Sequence, residues 1–316
     1  MGACARLPKP TQHTAYTSIP IAPGPEDMEI DAKPAQPRIL ISCSAHRMQQ
    51  NRPDGNIVAY TPALDQVDTL TRVGAPAGQP FHPHGINLAE VGGEQRLYIV
   101  IHDIAQNRHW IAQYRVEGNV LRWQRDYMSD LLVSPNAVTV APDGTVYVSN
   151  DHRKRGSFME LALRRKVSTL VRCTADGTCR IAAEHIAFGN GVILGKDALY
   201  QAATTGNRIY RYPLLPDGQL GKRTVIAKVV GPDNLRWDGD SLLVACHLRG
   251  LAFMRHAKDA AKWSPSTVYR ISPDGGKPEL VFFDEGGRIS ASSTAIRLGN
   301  AIYVSQVFGG TILRLD

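Results

Sequence analysis

Residues 134–151 read SPNAVTVAPDGTVYVSND, and the order of residue types is that of a hairpin. An alternating run at residues 138–140 leads into a Pro-Asp-Gly turn at residues 142–144, and a second, more apolar run follows at 146–148. Asn136 stands at the head of the first run. Asn is a poor strand former and a good turn former, so a bare carboxamide at the start of an inward-facing strand needs a reason.

The same unit recurs along the chain. The copies are EDMEIDAKPAQPRILISCS (residues 26–44), HGINLAEVGGEQRLYIVIHD (84–103), PNAVTVAPDGTVYVSND (135–151), GNGVILGKDALYQAAT (189–204), PDNLRWDGDSLLVACH (232–247) and STAIRLGNAIYVSQV (293–307). Each has a polar start, a short alternating strand, a turn and a more apolar strand. A third strand follows in five copies: GNIVAYTP (55–62), HWIAQYRV (109–116), NRIYRYPL (207–214), STVYRISP (266–273) and GTILRLD (310–316). The third copy is the exception. A fourth run follows in five copies, among them VDTLTRV (67–73), KRTVIAKVV (222–230) and PELVFFD (278–284).

Four antiparallel strands in a repeat of roughly 50 residues describe a propeller blade, and six copies predict an all-β, six-bladed β-propeller. The sixth copy runs out at Asp316 after three strands, while TAYTSIPIA (residues 14–22) alternates without a blade of its own. That segment is expected to supply the outer strand of the last blade, closing the ring and hiding two sheet edges. The expected organisation is a tail at residues 1–13 and one propeller domain at 14–316.

Composition narrows the function classes. The 316 residues are 43% hydrophobic and 21% charged, ordinary values for a globular chain with a full core. No run reaches the roughly 18 apolar residues that a membrane-spanning helix needs. The net charge is +7, but Lys and Arg are scattered, and no basic surface with interleaved aromatics points to single-stranded nucleic acid. Nucleic acid is therefore not expected as a partner.

The one dense basic stretch is HRKRGSFMELALRRKV (residues 152–167). It reads either as an amphipathic basic helix on an anionic membrane surface or, more plainly, as a solvated helix or loop between strands. Of the five cysteines, Cys173 and Cys179 bracket an Asp-Gly turn and are candidates to pair across it in an oxidising compartment. Cys43 and Cys246 lie in apolar runs and are expected as buried thiols. Cys4 follows Gly2-Ala3, as the lipidated Cys follows the end of a bacterial lipoprotein signal. A periplasmic or membrane-anchored location is expected on that ground, with a cytoplasmic one left open.

In a propeller the first strand of each blade lines the central channel. The heads of those strands carry Glu26 and Asp27, His84, Asn136, Asn190, Asp233 and Asn234, then Ser293 and Thr294. Carboxylates and carboxamides converging on one axis suit a hard cation that takes six to eight oxygens at flexible geometry, namely Ca²⁺. A single Asn in such a place is most simply a strand cap. Five oxygen-bearing residues in register across four of six repeats are better explained by one shared ligand. His84 belongs to the same ring and His102 ends the next strand of its blade. The two read either as a general base for water or as packed wall residues.

These segments together resemble the paraoxonase/arylesterase family, which is related to the gluconolactonase-like propellers. The resemblance runs from about Glu26 to the end of the chain. It is carried by EDMEI (26–30), FHPHGI (81–86), IHD (101–103), PNAV (135–138), SNDH (149–152), FGNGV (188–192), PDNL (232–235), ACH (245–247) and STA (293–295).

The resemblance implies a calcium-dependent hydrolase of lactones and aryl esters, some members also acting on organophosphates. It implies Glu26, Asn136, Asn190, Asp233 and Asn234 as ligands of a catalytic calcium, and His84 and His102 as a dyad with His84 the base. It also implies a second, buried structural calcium, held by Asp27, by the carbonyl of Ile86 and by an acid after Asn136. That last position is Ala137, so the second site lacks a charged oxygen. Arg47, Phe188 and Val307 fall at matched substrate-pocket positions. In some relatives the segment after SNDH covers the active site and touches lipid. The implied partner is a small lactone or ester. The alternatives are a sugar-lactonase or organophosphate hydrolase of the wider calcium-propeller group, and a non-catalytic propeller in which calcium is a structural hub.

Overall fold

The structure is a computed structural model that describes Pro8, residues 15–47 and residues 53–316. Six sheets, each built on four antiparallel strands, follow one another around a central axis. Blade 1 comprises Pro25–Asp31, Arg38–Cys43, Asn56–Thr61 and Gln66–Thr69. Blade 2 comprises Pro83–Val91, Glu94–Asp103, Arg108–Glu117 and Val120–Tyr127. Blade 4 runs from Gly189–Leu194 through Ala198–Ala203 and Arg208–Pro213 to Thr224–Ala227, and blade 5 from Pro232–Asp238 through Ser241–His247 and Ser266–Ile271 to Glu279–Asp284. The first strand of each blade neighbours the first strand of the next, and blade 6 returns to blade 1, so the ring is closed.

Blade 3 corrects one expectation. Its first two strands, Pro135–Val140 and Val146–Asn150, are followed after an insertion by a third and a fourth, Ser168–Cys173 and Cys179–Ile186. The insertion carries a short helix, Phe158–Ala162, capped by the Ser157 side chain. Cys173 and Cys179 face each other in the outer hairpin and form a disulfide. Cys43 and Cys246 are buried free thiols. Cys4 lies outside the described residues. No helix among the described residues is long and apolar enough to cross a membrane.

Blade 6 consists of Ser292–Leu298, Ala301–Gln306 and Thr311–Leu315, and its fourth strand comes from the other end of the chain. Tyr16–Pro20 pairs antiparallel with Thr311–Leu315, from Tyr16 opposite Leu315 to Pro20 opposite Thr311. A similar exchange joins blades 1 and 2. The run at residues 67–73 does not form one strand: Gln66–Thr69 stays in blade 1, and Thr71–Val73 crosses to pair in parallel with Val120–Tyr127 of blade 2. Leu70 is buried at the crossing point and stays bonded to Ile57 through its own N–H.

The core follows from the alternation. Both faces of a blade are covered by its neighbours, so both sets of alternating side chains are apolar. Among the described residues the buried apolar side chains fall into six clusters, each shared by two adjacent blades. The cluster between blades 6 and 1 shows why the first strand of the chain is needed: Ile19 packs there with Met28, Ile41, Tyr303 and Ile312.

Candidate metal and active site

Every inner strand is broken at the same height. The ladder between first and second strands shifts register at Pro25/Asp27 in blade 1, Pro83/Ile86 in blade 2 and Pro135/Ala137 in blade 3. It does so again at Gly189/Val192, Pro232/Leu235 and Ser292/Ala295 in blades 4 to 6. The residues left out of the ladder are Glu26, His84 and Gly85, Asn136, Asn190 and Gly191, Asp233 and Asn234, and Ser293 and Thr294. A bulge lifts a residue out of the pleat and re-aims its side chain. The place of Asn136 is thereby explained: it is the unpaired residue of a bulge, where strand propensity does not apply.

Two of the bulges depend on glycine for a close approach. A Cβ on Gly85 would sit 2.4 Å from the carbonyl oxygen of Asn136, and one on Gly191 would sit 2.6 Å from both Asn234 Cα and the Asp233 carbonyl oxygen. Inner strands of neighbouring blades thus touch backbone to backbone beside the residues they present.

The side chains at the bulges are held in specific orientations. Asn190 donates through its amide nitrogen to Thr204 Oγ1 (3.1 Å), and Asn234 donates through its own to Ser293 Oγ (3.3 Å). The Oδ1 atoms of both are buried and accept no hydrogen bond. Asp233 Oδ2 lies 3.0 Å from His247 Nε2. Glu26 Oε2 lies 2.8 Å from His84 Nδ1 and 3.0 Å from His46 Nε2. Glu26, His46 and His84 each offer a ligand atom, all within 4.8 Å of one another. Burial alone would raise the Glu26 carboxyl, but His84 and His46 beside it hold it well below the usual carboxylate range.

The histidines form a line. The His84 ring meets His102 edge-on at 5.0 Å, and His102 Nδ1 is 3.1 Å from His109 Nδ1. Burial alone would depress His84, but the Glu26 carboxylate outweighs it and raises the group above its ordinary value. His102 goes the other way, kept well below the usual imidazole range by burial and by the Arg155 guanidinium. The same two causes lower His109 to about 4.

The expected pocket residues each contact different neighbours. Phe188 meets the His152 ring edge-on at 5.0 Å and has φ +58. Val307 is buried and donates its N–H to the Ala291 carbonyl. Arg47 reaches the helix Gly250–Lys258, where it donates to the His256 carbonyl and stacks over Phe308 at 4.9 Å. At the second expected calcium site the structure has Arg236. Its Nη2 donates to Asp27 Oδ1 at 2.6 Å and to the Ile86 carbonyl at 3.1 Å.

Sequence reasoning placed His46 beside Arg47 at a substrate-contacting position, but did not find its pairing with Glu26, the pairing of His247 with Asp233, or His109 and Arg155. A signal existed for the two pairings, since His46 follows the second strand of blade 1 and His247 ends that of blade 5, much as His102 lies at the end of that of blade 2. His109 and Arg155 come from a third strand and an insertion, where no repeat position marked them.

Comparison with known proteins gives the family. Among solved structures the chain is similar to a luciferin-regenerating enzyme, at 13% identity and a TM-score of 0.62 over 96% of this chain and 95% of that one. It is also similar to a gluconolactonase from Xanthomonas campestris, at 16% identity and a TM-score of 0.61 over 98% and 95%. Likeness at this identity is a likeness of fold. No curated protein matches the chain. The model of the arylesterase family matches residues 48–314, which takes in the inner strands of blades 2 to 6 and leaves Glu26 outside. With most of its length matched, the chain belongs to the arylesterase family.

Proposed function

We propose that this protein is a calcium-dependent hydrolase of lactones and aryl esters, with phosphotriesters as further candidate substrates. The observation that carries the reading is the pair of buried, unbonded Oδ1 atoms on Asn190 and Asn234, each with its amide nitrogen tied back to a hydroxyl. A buried acceptor without a donor is costly, and a hard cation answers that cost. Glu26, Asn136 and Asp233 complete the oxygen set on neighbouring strands, and the donor set fits Ca²⁺ better than Zn²⁺.

Calcium bound there would polarise the substrate's carbonyl oxygen and carry the charge that develops on it. The protein's own groups do the rest. Glu26 keeps Nδ1 of His84 engaged and favours the imidazolium, so His84 is the proton acceptor for the attacking water, through Nε2. His102 stays neutral at physiological pH and fixes the His84 ring from its edge. Phe188 and Val307 form apolar wall for the acyl or aryl part of the substrate. Exposed Phe158, Met159 and Leu163 between basic residues support contact of the 152–167 segment with an anionic membrane surface.

The test is hydrolysis of a lactone panel and phenyl acetate before and after chelation with EGTA, followed by calcium add-back. Activity lost on chelation and restored by calcium is the expected result. His84→Gln should then bind calcium as the parent does and turn over about 10²-fold more slowly or worse. No hydrolysis of any substrate by folded, calcium-loaded protein would leave the non-catalytic binding propeller as the reading.

A further inference from the structure

We infer that the guanidinium of Arg236 is a built-in cation that stands where a second, structural metal ion would otherwise tie the propeller's centre together. Arg236 lies on the inner strand of blade 5, only 4% exposed. It spans the channel to two other blades. Nε donates to the Met28 carbonyl (2.7 Å) and Nη2 to Asp27 Oδ1 (2.6 Å) in blade 1, while Nη2 also reaches the Ile86 carbonyl of blade 2 (3.1 Å). Nη1 donates to the carbonyl of Leu235 (2.8 Å), and Glu29 Oε1 lies 3.5 Å from Nη2.

The acceptors a metal would need are already used. Asp27 is 1% exposed. Its Oδ1 accepts from Arg236, from Thr294 Oγ1 of blade 6 (2.9 Å) and from the Met28 N–H (2.9 Å), and its Oδ2 accepts from the Ile86 N–H (2.8 Å). The resemblance leads to a second acid after Asn136, but Ala137 occupies that place, buried in apolar contact between blades 3 and 4. A divalent ion at Asp27 would therefore find no carboxylate at position 137 and a fixed positive charge at hydrogen-bond distance from Asp27 and 3.5 Å from Glu29. The residues present do not fit a second metal. They fit one planar cation, each of whose three nitrogens donates to an acceptor of the channel.

This arrangement separates two tasks. The centre holds blades 1, 2, 5 and 6 together without any ion, and a metal at the Glu26 ring is left to the chemistry alone. Chelation should then leave the fold standing. The inference concerns a different point of the channel from the proposed catalytic site and is read by a different measurement.

The experiment compares calcium stoichiometry, by equilibrium dialysis and atomic emission, and melting temperature, with and without EGTA. The proteins are the parent, Arg236→Met, Arg236→Lys and the double variant Arg236→Ala/Ala137→Asp. The parent should bind at most one calcium and melt within a few degrees of its loaded value when chelated. Arg236→Met should melt lower by roughly 5–15 °C, as expected when one partner of a buried pair is lost, with calcium giving no recovery. Arg236→Lys should keep part of that loss back. The double variant should bind one calcium more than the parent and melt higher when calcium is present. A parent that binds two calcium ions, or an Arg236→Met variant with unchanged melting, would overturn the inference. A parent binding no calcium would count against the catalytic reading and not this one, because the gain of one ion in the double variant is judged against the parent.

Discussion

Phe188 shows what a single residue is asked to do here. Its backbone is left-handed, with φ +58, two positions before the Asn190 bulge. Gly24, Gly231 and Ala291 hold the same left-handed turn two positions before the bulges of blades 1, 5 and 6. The turn recurs in four of the six blades, where it leads the chain from the previous blade into the inner strand. Glycine meets it at little cost, whereas an aromatic residue gives up about 1–2 kcal/mol in that region. A large side chain kept in a strained conformation beside a site is a sign that the side chain itself is wanted. Phe188→Gly should therefore raise stability by up to about 1 kcal/mol, seen as a later denaturant midpoint, while KM for aryl esters rises. A variant less stable than the parent would show that Phe188 serves packing alone.

At the scale of elements, polar clamps join neighbouring blades where the apolar clusters end. Asp238 ends the inner strand of blade 5, with a side chain 8% exposed. It accepts from Arg297 Nε of blade 6 (2.6 Å) and from Arg270 Nη2 of its own blade (2.9 Å). Burial alone would raise its carboxyl, but the two guanidiniums prevail and lower it below the ordinary 3.8. A depressed carboxyl contributes stability that is present above the unfolded value and is lost as pH falls through the folded one. Asp238→Asn should accordingly be less stable than the parent at neutral pH and approach it below about pH 4. Parallel stability curves for the two proteins across that range would show that the clamp adds nothing by its charge.

For the whole molecule the decisive feature is closure. The last blade takes Tyr16–Pro20 as its outer strand, so the two ends of the chain are joined by a ladder of five opposed residue pairs. Deleting residues 14–22 removes that ladder and the Ile19 side chain from the cluster between blades 6 and 1, and it leaves Thr311–Leu315 as an open edge. A loss of about 3 kcal/mol or more is expected, together with aggregation through the new edge. The checks are the melting temperature and light scattering on heating. An unchanged melting temperature would mean that the ring is held by its inner strands without the outer closure.

The repeat was legible in the residues because blade geometry is local. Alternation, turn residues and a period near 50 specify a four-stranded sheet, and a sheet with two apolar faces must be flanked on both sides. The oxygen-bearing residues at the bulges were legible for the same reason, since each stands at a fixed place in its own repeat. The third and fourth strands of blade 3 were less plain because 17 residues, 151–167, separate Asn150 from Ser168. Which side chains meet across the channel was not legible at all. Arg236 and Asp27 are 209 positions apart, and nothing beside Arg236 marks it as anything but a polar residue on an alternating strand. The bulges were hidden too, because register is a relation between two strands and not a property of either. Local patterning thus set the number of blades and the kinds of side chain at the centre. Only closure of the ring brought distant strands near enough to decide which of those side chains are paired and which oxygens are left open.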